Sequence, residues 1–538
     1  AATIAALEPR IQRGGNVLAS AFAPQRADGG SMRRRHADLT QPGVASARAI
    51  ETGLLAYTDA QLAALLGRLA GTATQPGAPG YNDDRSVFMH TQQRFPQLIV
   101  HAAVESDVVA ALAFARETGL KVATRSGGHS TAGYSTNDQL VIDISAIGHV
   151  LIDREARVAR VGAGATFRRL NLMLDAAGLH VPGGGCETVG VAGYMQGGGY
   201  GFTSRLFGMN CDSVRALRLV RADGRVLRAT RDEEPDLFWA ARGGTGNQFG
   251  VLVEIEYDLR PLDTLFGFGL AWPLDTVAGV ETAAQALAIL QARYTSGADA
   301  PAGIGMQALL INTPVRGADG AVAPQAPRLL VRGVFDGDAA GCAAALAPLT
   351  ATLADPATQT EIWREGRYLE LNEILLQSAD PPGIDLPAVA MSTRPLVDGR
   401  IVTDFHDAAA WRRVVAHFLA APDRTCFIAI ETYGGAINAP APDASAYVHR
   451  RDSLDLFAWA FWTLDAAETA SVAWLDGFVA LAEAMSSGRR YQNYPRRGAT
   501  GFEAAYFGAN LPRLRAIRAA ADPEGRFDFE QSIGAEAP

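Results

Sequence analysis

The sequence predicts an α+β fold with at least two domains. Its 538 residues exceed what a single hydrophobic core usually supports. Strands and helices alternate between Asp83 and Leu259, and from about 265 to 488 long Ala/Leu-rich helices alternate with strands. We therefore predict an N-terminal extension over 1–50, a first domain beginning at 51 and ending at 264, and a second domain over 265–488.

In the first domain, capping residues and turn glycines predict two helices, one from Ser106 to Gly119 and one from Thr166 to Gly178. Runs of apolar residues predict the strands Val122–Thr124, Leu140–Ile144, Ala156–Val161, Val214–Arg221 and Arg225–Thr230. Asp223-Gly224 joins the last two strands as a hairpin.

In the second domain, helical periodicity predicts the helices Val277–Arg293, Ala339–Leu353 and Ala466–Met485. The predicted strands include Arg328–Phe335, Thr425–Thr432 and Ala458–Thr463. This pattern is typical of a sheet covered by helices. A further helix, Leu511–Ala521, lies in the polar C-terminal segment.

The composition excludes several classes of function. A net charge of −9 gives no basic field for nucleic acid or anionic lipid, and no apolar run approaches the ~18 residues of a membrane helix. The four cysteines and nine histidines form no CxxC or HExxH pattern, which predicts neither a disulfide framework nor a metal site. The only lysine, Lys121, lies in no P-loop. We expect a soluble protein, either cytoplasmic or exported with a removed leader, of undetermined oligomeric state.

Three glycine-rich loops indicate a site for a dinucleotide. Nine of the nineteen residues from 183 to 201 are glycine, and shorter loops of the same kind span 125–130 and 242–247. Bare backbone N–H groups in such loops form concavities that bind a pyrophosphate. A Rossmann site at Gly162-Ala163-Gly164 is the alternative, but Phe167 stands where the third glycine of that motif belongs.

Two nucleophilic side chains lie inside these loops. Either His129 or Cys186 alone could be an ordinary loop histidine or a small buried thiol. In a loop that holds a nucleotide, each would crowd the ligand unless it were bonded to it.

Five motifs, in order from about 80 to 533, resemble the berberine-bridge-enzyme-like branch of the vanillyl-alcohol-oxidase and p-cresol-methylhydroxylase flavoproteins. They are Arg-Ser-Gly-Gly-His-Ser at 125–130, the glycine-rich run at 185–201, Asp-Leu-Phe-Trp-Ala-Ala-Arg-Gly-Gly at 236–244, Tyr-Gln-Asn-Tyr at 491–494, and Asp-Pro-Glu-Gly-Arg-Phe at 522–527 with Gln-Ser-Ile at 531–533. Bacterial tailoring oxidases such as aclacinomycin oxidoreductase are similar. The resemblance implies an FAD-binding domain formed by 51–264 and 489–538, and a central substrate domain, 265–488, with an antiparallel sheet covered by helices.

The resemblance also implies FAD bound through two covalent bonds, 8α-histidyl to His129 and 6-S-cysteinyl to Cys186. Val189 matches the position beside the oxygen-reactive carbon of the flavin, where a small side chain is associated with oxidases. The other residues implied to contact the cofactor are Arg125, Ser126, Gly127, Gly128, Ser130, Ser135, Gly185, Gly190, Gly193, Gly198, Gly199, Gly201, Gly250, Val251, Tyr491 and Asn493.

Tyr494 matches the residue that serves the family as catalytic base. A phenol with a pKa near ~10 needs activation for this role. The acidic residue usual after the motif is replaced by Pro495-Arg496-Arg497, so a nearby arginine could supply that activation. The alternative is that Tyr494 only packs under the flavin. Tyr433 either lines the substrate site or anchors a turn.

The expected function is an FAD-dependent oxidase that removes hydride from an alcohol or hemiacetal carbon of a sugar or secondary metabolite and reduces O₂ to H₂O₂. The alternatives are an oxidative cyclase, a dehydrogenase with another electron acceptor, and a flavin-loaded binding protein without turnover.

Overall fold

A computed structural model describes residues 17–19, 55–89, 92–246, 248–295, 300–301, 303–316, 322–377, 394–462 and 465–534. The predicted extension over 1–50 lies outside the described residues, apart from 17–19, as do Asn247 of the third glycine-rich loop and Thr463 of a predicted strand.

The strands, in chain order, are β1 Val17–Ala19, β2 Thr72–Thr74, β3 Leu98–His101, β4 Val122–Arg125, β5 Leu140–Asp143, β6 Val150–Asp153, β7 Val158–Gly162, β8 Leu179–His180, β9 Val214–Val220, β10 Val226–Ala229, β11 Val251–Asp258, β12 Arg260–Pro261, β13 Thr264–Pro273, β14 Ile304–Arg316, β15 Val322–Phe335, β16 Thr360–Arg367, β17 Arg394–Val402, β18 Phe427–Thr432 and β19 Leu454–Trp462.

The α-helices are α1 Asp59–Leu66, α2 Tyr81–Arg85, α3 Glu105–Thr118, α4 Phe167–Ala177, α5 Val191–Gln196, α6 Ser204–Phe207, α7 Pro235–Ala240, α8 Val277–Tyr294, α9 Ala339–Thr350, α10 Pro356–Gln359, α11 Tyr368–Gln377, α12 Ala408–Leu419, α13 Asp465–Glu483, α14 Phe502–Phe507 and α15 Leu511–Ala521. Short 3₁₀ turns span Asn210–Ser213, Gly435–Ile437 and Gly508–Asn510.

The chain divides into two compact units. The first contains residues 1–199, 210–262 and 509–538, and the second contains 200–209 and 263–508. Apart from residues 200–209, the chain passes from the first unit to the second after residue 262, two residues from the boundary at 264 expected from the sequence. The chain returns to the first unit at 509, whereas the sequence interpretation placed that return at 489. Residues 489–508 stay with the second unit because their side chains bond to its sheet, as Tyr494 does to Glu431.

Within the described residues, the first unit contains an antiparallel sheet in the order β1-β6-β7-β11-β9-β10 and a smaller sheet in the order β2-β3-β5-β4. In the smaller sheet β3, β5 and β4 are parallel, and the glycine-rich loop 125–130 begins where β4 ends. The carboxyl end of a parallel strand is a common place for a ligand-binding loop.

The second unit is one antiparallel sheet in the order β16-β13-β15-β14-β18-β19-β17. Side chains alternate across it. One face, including Ile428, Ile430 and Leu456, packs under helices α8, α9, α12 and α13 in a large apolar core. The opposite face carries a smaller cluster that includes Phe457 and Phe461. The α+β fold, with glycine-rich loops in the first unit and a helix-covered antiparallel sheet in the second, is thereby confirmed.

Most predicted elements are confirmed to within a few residues, and Leu511–Ala521 has the predicted bounds. Several starts were wrong. The strands predicted from Arg328 and Ala458 begin earlier, at Val322 and Leu454, and two other errors have a local cause. The helix predicted to be capped by Ser106 begins at Glu105, because the Asp107 carboxylate accepts the N–H groups of Ala103 and Val104 instead. The strand predicted from Ala156 begins at Val158, because Asp153 accepts the N–H groups of Glu155 and Ala156 in a turn.

Candidate functional site

In the first unit, two of the glycine-rich loops press backbone against backbone. A Cβ added at Gly127 would lie 2.3 Å from the Gly190 nitrogen, and one at Gly190 would lie 2.4 Å from the Gly127 nitrogen. Neither position can carry a larger residue without moving the other loop. The Ser126 hydroxyl ties the first loop to the Ala163 carbonyl at 2.7 Å.

The turn that carries Cys186 is held by the start of helix α4. The N–H of Phe167 donates to the Val189 carbonyl at 3.1 Å, and that of Arg168 donates to the Glu187 carbonyl at 2.8 Å. These are N–H groups that a helix leaves without an intrahelical acceptor. Helix α4 therefore fixes the position of the 186–189 turn.

These two loops bring His129 and Cys186 to one hydroxyl. Thr188 Oγ1 lies 3.0 Å from His129 Nε2 and 3.5 Å from Cys186 Sγ. The two residues that the sequence singled out as candidate flavin ligands are therefore neighbours in the fold, although they come from different loops.

The surroundings of His129 keep its imidazole neutral. Its ring stacks on Phe88 with the centroids 4.3 Å apart, and burial lowers its pKa to about 4. A neutral imidazole has a nitrogen lone pair available as a nucleophile at neutral pH.

Next to the 125–130 loop lie two buried hydroxyls that could hydrogen-bond to a polar group of a ligand. Ser135 Oγ and Thr136 Oγ1 have no hydrogen-bond partner among the described residues, although such groups are nearly always paired in native proteins. Ser130 Oγ accepts the N–H of Tyr134 at 3.0 Å and so fixes the segment that presents them. A phosphate or ribityl chain would provide the missing partners, so the residues present fit FAD.

The other predicted cofactor residues of this unit have varied settings. Arg125 is buried and donates twice to Asp143, at 2.8 and 3.0 Å, so its side chain fastens the loop to β5. Gly250 and Val251 lie at the start of β11. Gly193 lies in helix α5, and an added Cβ there would meet no atom within 4 Å. Gly128, Gly185, Gly198 and Gly199 lie in the glycine-rich loops themselves.

In the second unit, Tyr494 is bonded to a carboxylate. Its hydroxyl donates to Glu431 Oε1 at 2.9 Å, and its ring packs on Phe457 with the centroids 4.4 Å apart. Glu431 lies on β18, on the sheet face opposite the helices. Sequence reasoning did not find Glu431.

Glu431 belongs to a polar row across four strands, formed by Arg332 on β15, Gln307 on β14, Glu431 on β18 and Asp455 on β19. Each is the register partner of the next. Arg332 donates to Gln307 Oε1 at 2.9 Å, and Gln307 donates to Glu431 Oε1 at 3.5 Å. Glu431 Oε2 and both oxygens of Asp455 are buried without a hydrogen-bond partner in the described part of the chain.

The signal for this row is present in the sequence. Gln307, Arg332, Glu431 and Asp455 interrupt otherwise apolar strands at positions that alternate with core residues. Buried polar residues of this kind are informative. Their alignment into one row depends on strand register between distant segments, which no local pattern specifies.

The environment keeps Tyr494 protonated and makes Glu431 a weak acid. Burial raises the pKa of the Tyr494 phenol well above 10, and the Glu431 carboxylate raises it further. Burial raises the pKa of Glu431 to about 8, against the opposing effect of the hydrogen bond from Tyr494. Burial, followed by the charge of Glu431, raises the pKa of Asp455 well above its usual range.

The suggestion that an arginine after the motif activates Tyr494 is not what the structure shows for Arg496. Arg496 reaches Asp476, on helix α13, at 2.7 Å and Asp398, on the edge strand β17, at 3.4 Å. The group that contacts the Tyr494 hydroxyl is Glu431.

The remaining aromatic candidates form a cluster around the same segment. Tyr433 is fully buried, accepts a hydrogen bond from Tyr447 at 2.8 Å and stacks on Tyr200. Tyr491 is buried edge-on to Tyr494, and its hydroxyl accepts from Asn493 at 2.9 Å. Gly201, expected as a cofactor contact, lies in the second unit, where its N–H donates to Ser204 Oγ.

Within the described residues, no group of three histidine, cysteine or acidic side chains has the arrangement of a metal site. The helices in that same part of the chain are all too short or too polar to cross a bilayer.

Two sequence families match the chain. The family described as FAD binding domain matches residues 96–230, and the family described as berberine and berberine like matches 490–534. The first match contains His129, Cys186 and Thr188, and the second contains Tyr494.

Curated relatives align over nearly their whole length. An uncharacterised FAD-linked oxidoreductase of Bacillus subtilis, YgaK, is 27% identical over 87% of this chain and 97% of its own. The xylooligosaccharide oxidase of Thermothelomyces thermophilus is 27% identical over 84% of this chain and 90% of its own.

Solved structures share the fold. The berberine-bridge-enzyme-like protein 1 of Physcomitrella patens has a TM-score of 0.77 at 22% identity. The glucooligosaccharide oxidase of Acremonium strictum, described with a 6-S-cysteinyl, 8α-N1-histidyl FAD, has a TM-score of 0.74 at 21% identity. Each match covers 89% of this chain and all of the other. Two variants of Phl p 4 also match, with TM-scores of 0.74 and 0.73 at 20% and 21% identity, over 88% of this chain and 99% of theirs. They differ by an isoleucine-to-valine change; the one without it is described as a glucose dehydrogenase and the one with it as a glucose oxidase.

The FAD binding domain match and the curated relatives identify the chain as an FAD-linked oxidoreductase, and its glycine-loop unit and helix-covered antiparallel sheet share the fold of the solved structures. Within that class, the chain resembles berberine-bridge-enzyme-like proteins, since residues 490–534 match the family described as berberine and berberine like and the fold is shared with a berberine-bridge-enzyme-like structure.

Proposed function

We propose that this protein is an oxidase with FAD bound covalently to both His129 and Cys186. Its proposed reaction takes a hydride from an alcohol or hemiacetal carbon of a small molecule and passes the electrons to O₂, giving H₂O₂. The observation that carries the proposal is the meeting of the His129 imidazole and the Cys186 thiol at Thr188 Oγ1. The doubly linked flavin described for glucooligosaccharide oxidase supports it.

Covalent attachment to His129 would use Nδ1. Because Nε2 faces Thr188 at 3.0 Å, Nδ1 is the nitrogen left for the flavin. The low pKa of His129, about 4, keeps the imidazole neutral at neutral pH, and in the tautomer whose Nε2–H donates to Thr188 Oγ1 the lone pair lies on Nδ1. When bound, the flavin would supply the hydride-accepting chemistry, and the protein would bind, orient and tune it.

The residues of the second unit would handle the proton. Tyr494 Oη would take the substrate hydroxyl proton while its own proton passes to Glu431 Oε1, 2.9 Å away. This relay removes the need for a phenolate, which the raised pKa of Tyr494 disfavours. A pKa of about 8 makes Glu431 an acceptor matched to near-neutral conditions.

We propose a carbohydrate or a similar polyhydroxylated alcohol as the substrate. Xylooligosaccharide oxidase and the carbohydrate oxidase of Microdochium nivale are among the relatives. The sheet face that carries the polar row also carries the rings of Phe457, Trp459 and Phe461. Apolar rings combined with a few fixed polar groups are typical of small-molecule sites.

Panels of mono- and oligosaccharides and of secondary alcohols, assayed for peroxide and for product mass, test this function. We expect stoichiometric H₂O₂ and a product two mass units lighter than the substrate. A product with a new ring or carbon–carbon bond would establish the cyclase alternative, and flavin without turnover would leave a binding protein.

Oxygen is the proposed electron acceptor because Val189 is small. The Phl p 4 pair, in which valine accompanies the oxidase, supports this proposal. We expect Val189→Ile to slow reoxidation of the reduced enzyme by O₂ and to leave flavin reduction unchanged in rapid-mixing experiments. Equal reoxidation rates in both proteins, or slow wild-type reoxidation beside fast reaction with a quinone, would contradict it.

A further inference from the structure

The second unit contains an open cavity of about 530 Å³ whose lining includes none of the residues given a role above. Its wall is formed by helix α6, by the loop from Gly434 to Ala439 and by the start of β14. The volume lies within the range of small-molecule sites, roughly 300–1,000 Å³.

Arg205 lines this cavity and is 6% exposed. Its Nε and Nη1 atoms are buried without a hydrogen-bond partner, and no carboxylate of the described residues pairs with it. Other buried arginines of the same unit are paired: Arg328 contacts Glu361, and Arg400 contacts Asp398. A buried, uncompensated cation is costly, so its retention indicates a partner other than the described residues.

The cavity wall is tightly constructed. Gly435 has a φ of 54°, and an added Cβ would lie 2.5 Å from the Arg205 carbonyl oxygen, so the loop touches the backbone of helix α6. Asn438 is anchored through Nδ2 to the Asp452 carbonyl at 2.9 Å. Its Oδ1 is buried and has no partner among the described residues. A donor on a ligand would satisfy that oxygen.

The rest of the lining indicates what kind of anion fits. Leu206, Phe207 and Ile304 are apolar, and Asp336 is the other charged residue of the described lining. Asp336 is exposed, so its charge disfavours phosphate-like polyanions without neutralising Arg205. Burial lowers the pKa of Arg205 to about 10, which leaves the guanidinium charged at neutral pH.

We propose that this cavity binds an organic monocarboxylate with an apolar body, whose carboxylate pairs with Arg205. The planar guanidinium matches a carboxylate through two parallel N–H···O bonds. This ligand site goes beyond the oxidase function, and its detection does not depend on turnover.

Calorimetric titration of the flavin-loaded protein with benzoate and hexanoate tests the proposal, with benzamide as the neutral counterpart and inorganic phosphate as the second anion. We expect a carboxylate to bind more tightly than about 1 mM and benzamide not to bind. Arg205→Met should weaken carboxylate binding by about 10- to 100-fold, as expected for loss of charge-assisted hydrogen bonds. Arg412→Met, which removes an exposed arginine paired with Glu281, is the matched control and should bind normally.

Ala436→Trp provides a second variant that leaves Arg205 in place and fills the cavity from its wall. It should also abolish carboxylate binding, and carboxylate titration should leave the flavin absorption spectrum unchanged. Four results would each overturn the proposal. The first three concern the wild-type protein: equal binding of benzoate and benzamide, tighter binding of phosphate than of carboxylate, and no carboxylate binding tighter than about 1 mM. The fourth is unchanged carboxylate binding in a folded Arg205→Met or Ala436→Trp variant.

Discussion

Tyr494 and Glu431 show how a single contact changes the chemistry expected of a residue. From the sequence, Tyr494 required activation by a nearby cation or by hydrogen bonds, and an arginine after the motif was one candidate. In the structure, its hydroxyl faces a buried carboxylate, and burial raises the pKa of both groups. We therefore propose that Tyr494 accepts the substrate proton while passing its own proton to Glu431, rather than acting as a free phenolate.

Tyr494→Phe should keep flavin attachment and slow flavin reduction by about 100- to 10,000-fold, the usual contribution of a positioned base. Anaerobic stopped-flow reduction at saturating substrate measures this rate. Tyr433→Phe is the comparison, because Tyr433 is fully buried and bonded to Tyr447 rather than to a carboxylate. A near wild-type rate for Tyr494→Phe with a large loss for Tyr433→Phe would move the base to Tyr433.

Glu431→Gln should change the pH dependence of flavin reduction. Glu431 accepts a proton only when ionised, and its pKa is about 8, so the wild-type rate should rise with pH through 8 and fall about tenfold per pH unit below it. The glutamine variant should be slow, and its rate should no longer rise through that range.

Asp455→Asn is the matched control for Glu431→Gln. Burial, followed by the charge of Glu431, raises the pKa of Asp455 well above its usual range, and asparagine matches the protonated acid in shape and charge. The rise through pH 8 should persist in Asp455→Asn. If the rise in rate through pH 8 were lost in Asp455→Asn as well, the titration would be a shared property of Glu431 and Asp455 rather than of Glu431 alone.

Elements specified by local signals were predicted well from the sequence. Thr166 and Gly178 bound helix α4 as expected, since caps and turn glycines act within a few residues. The candidate site was predicted only in part. His129, Cys186 and Tyr494 lie in recognisable motifs, but Glu431 and Asp455 meet through the register of β18 with β19, and the choice of this register depends on long-range packing.

The contact between the two glycine-rich loops gives a prediction about elements. Gly127→Ala places a methyl group against the Gly190 backbone and should cost about 1–3 kcal/mol of stability, with loss of bound flavin. Gly193→Ala adds the same methyl group where no protein atom lies within 4 Å, and it should leave stability intact. Thermal denaturation and the flavin-to-protein ratio measure both effects. Equal melting temperatures for the two variants would show that the loops are not in close contact.

At the scale of the whole molecule, the two units carry different parts of the proposed chemistry. The candidate flavin attachment residues, His129 and Cys186, lie in the first unit, and the proton-handling pair Tyr494 and Glu431 lies in the second. The two family matches contain these residues separately: residues 96–230 contain His129 and Cys186, and residues 490–534 contain Tyr494.

The central claim is that FAD is bonded to both His129 and Cys186, and acid precipitation followed by peptide mass spectrometry tests it most directly. The account predicts a yellow protein pellet and a flavin mass on a cross-linked species containing both residues. His129→Ala and Cys186→Ala should each leave one remaining attachment. Recovery of all the flavin in the acid supernatant of the wild-type protein would contradict the account.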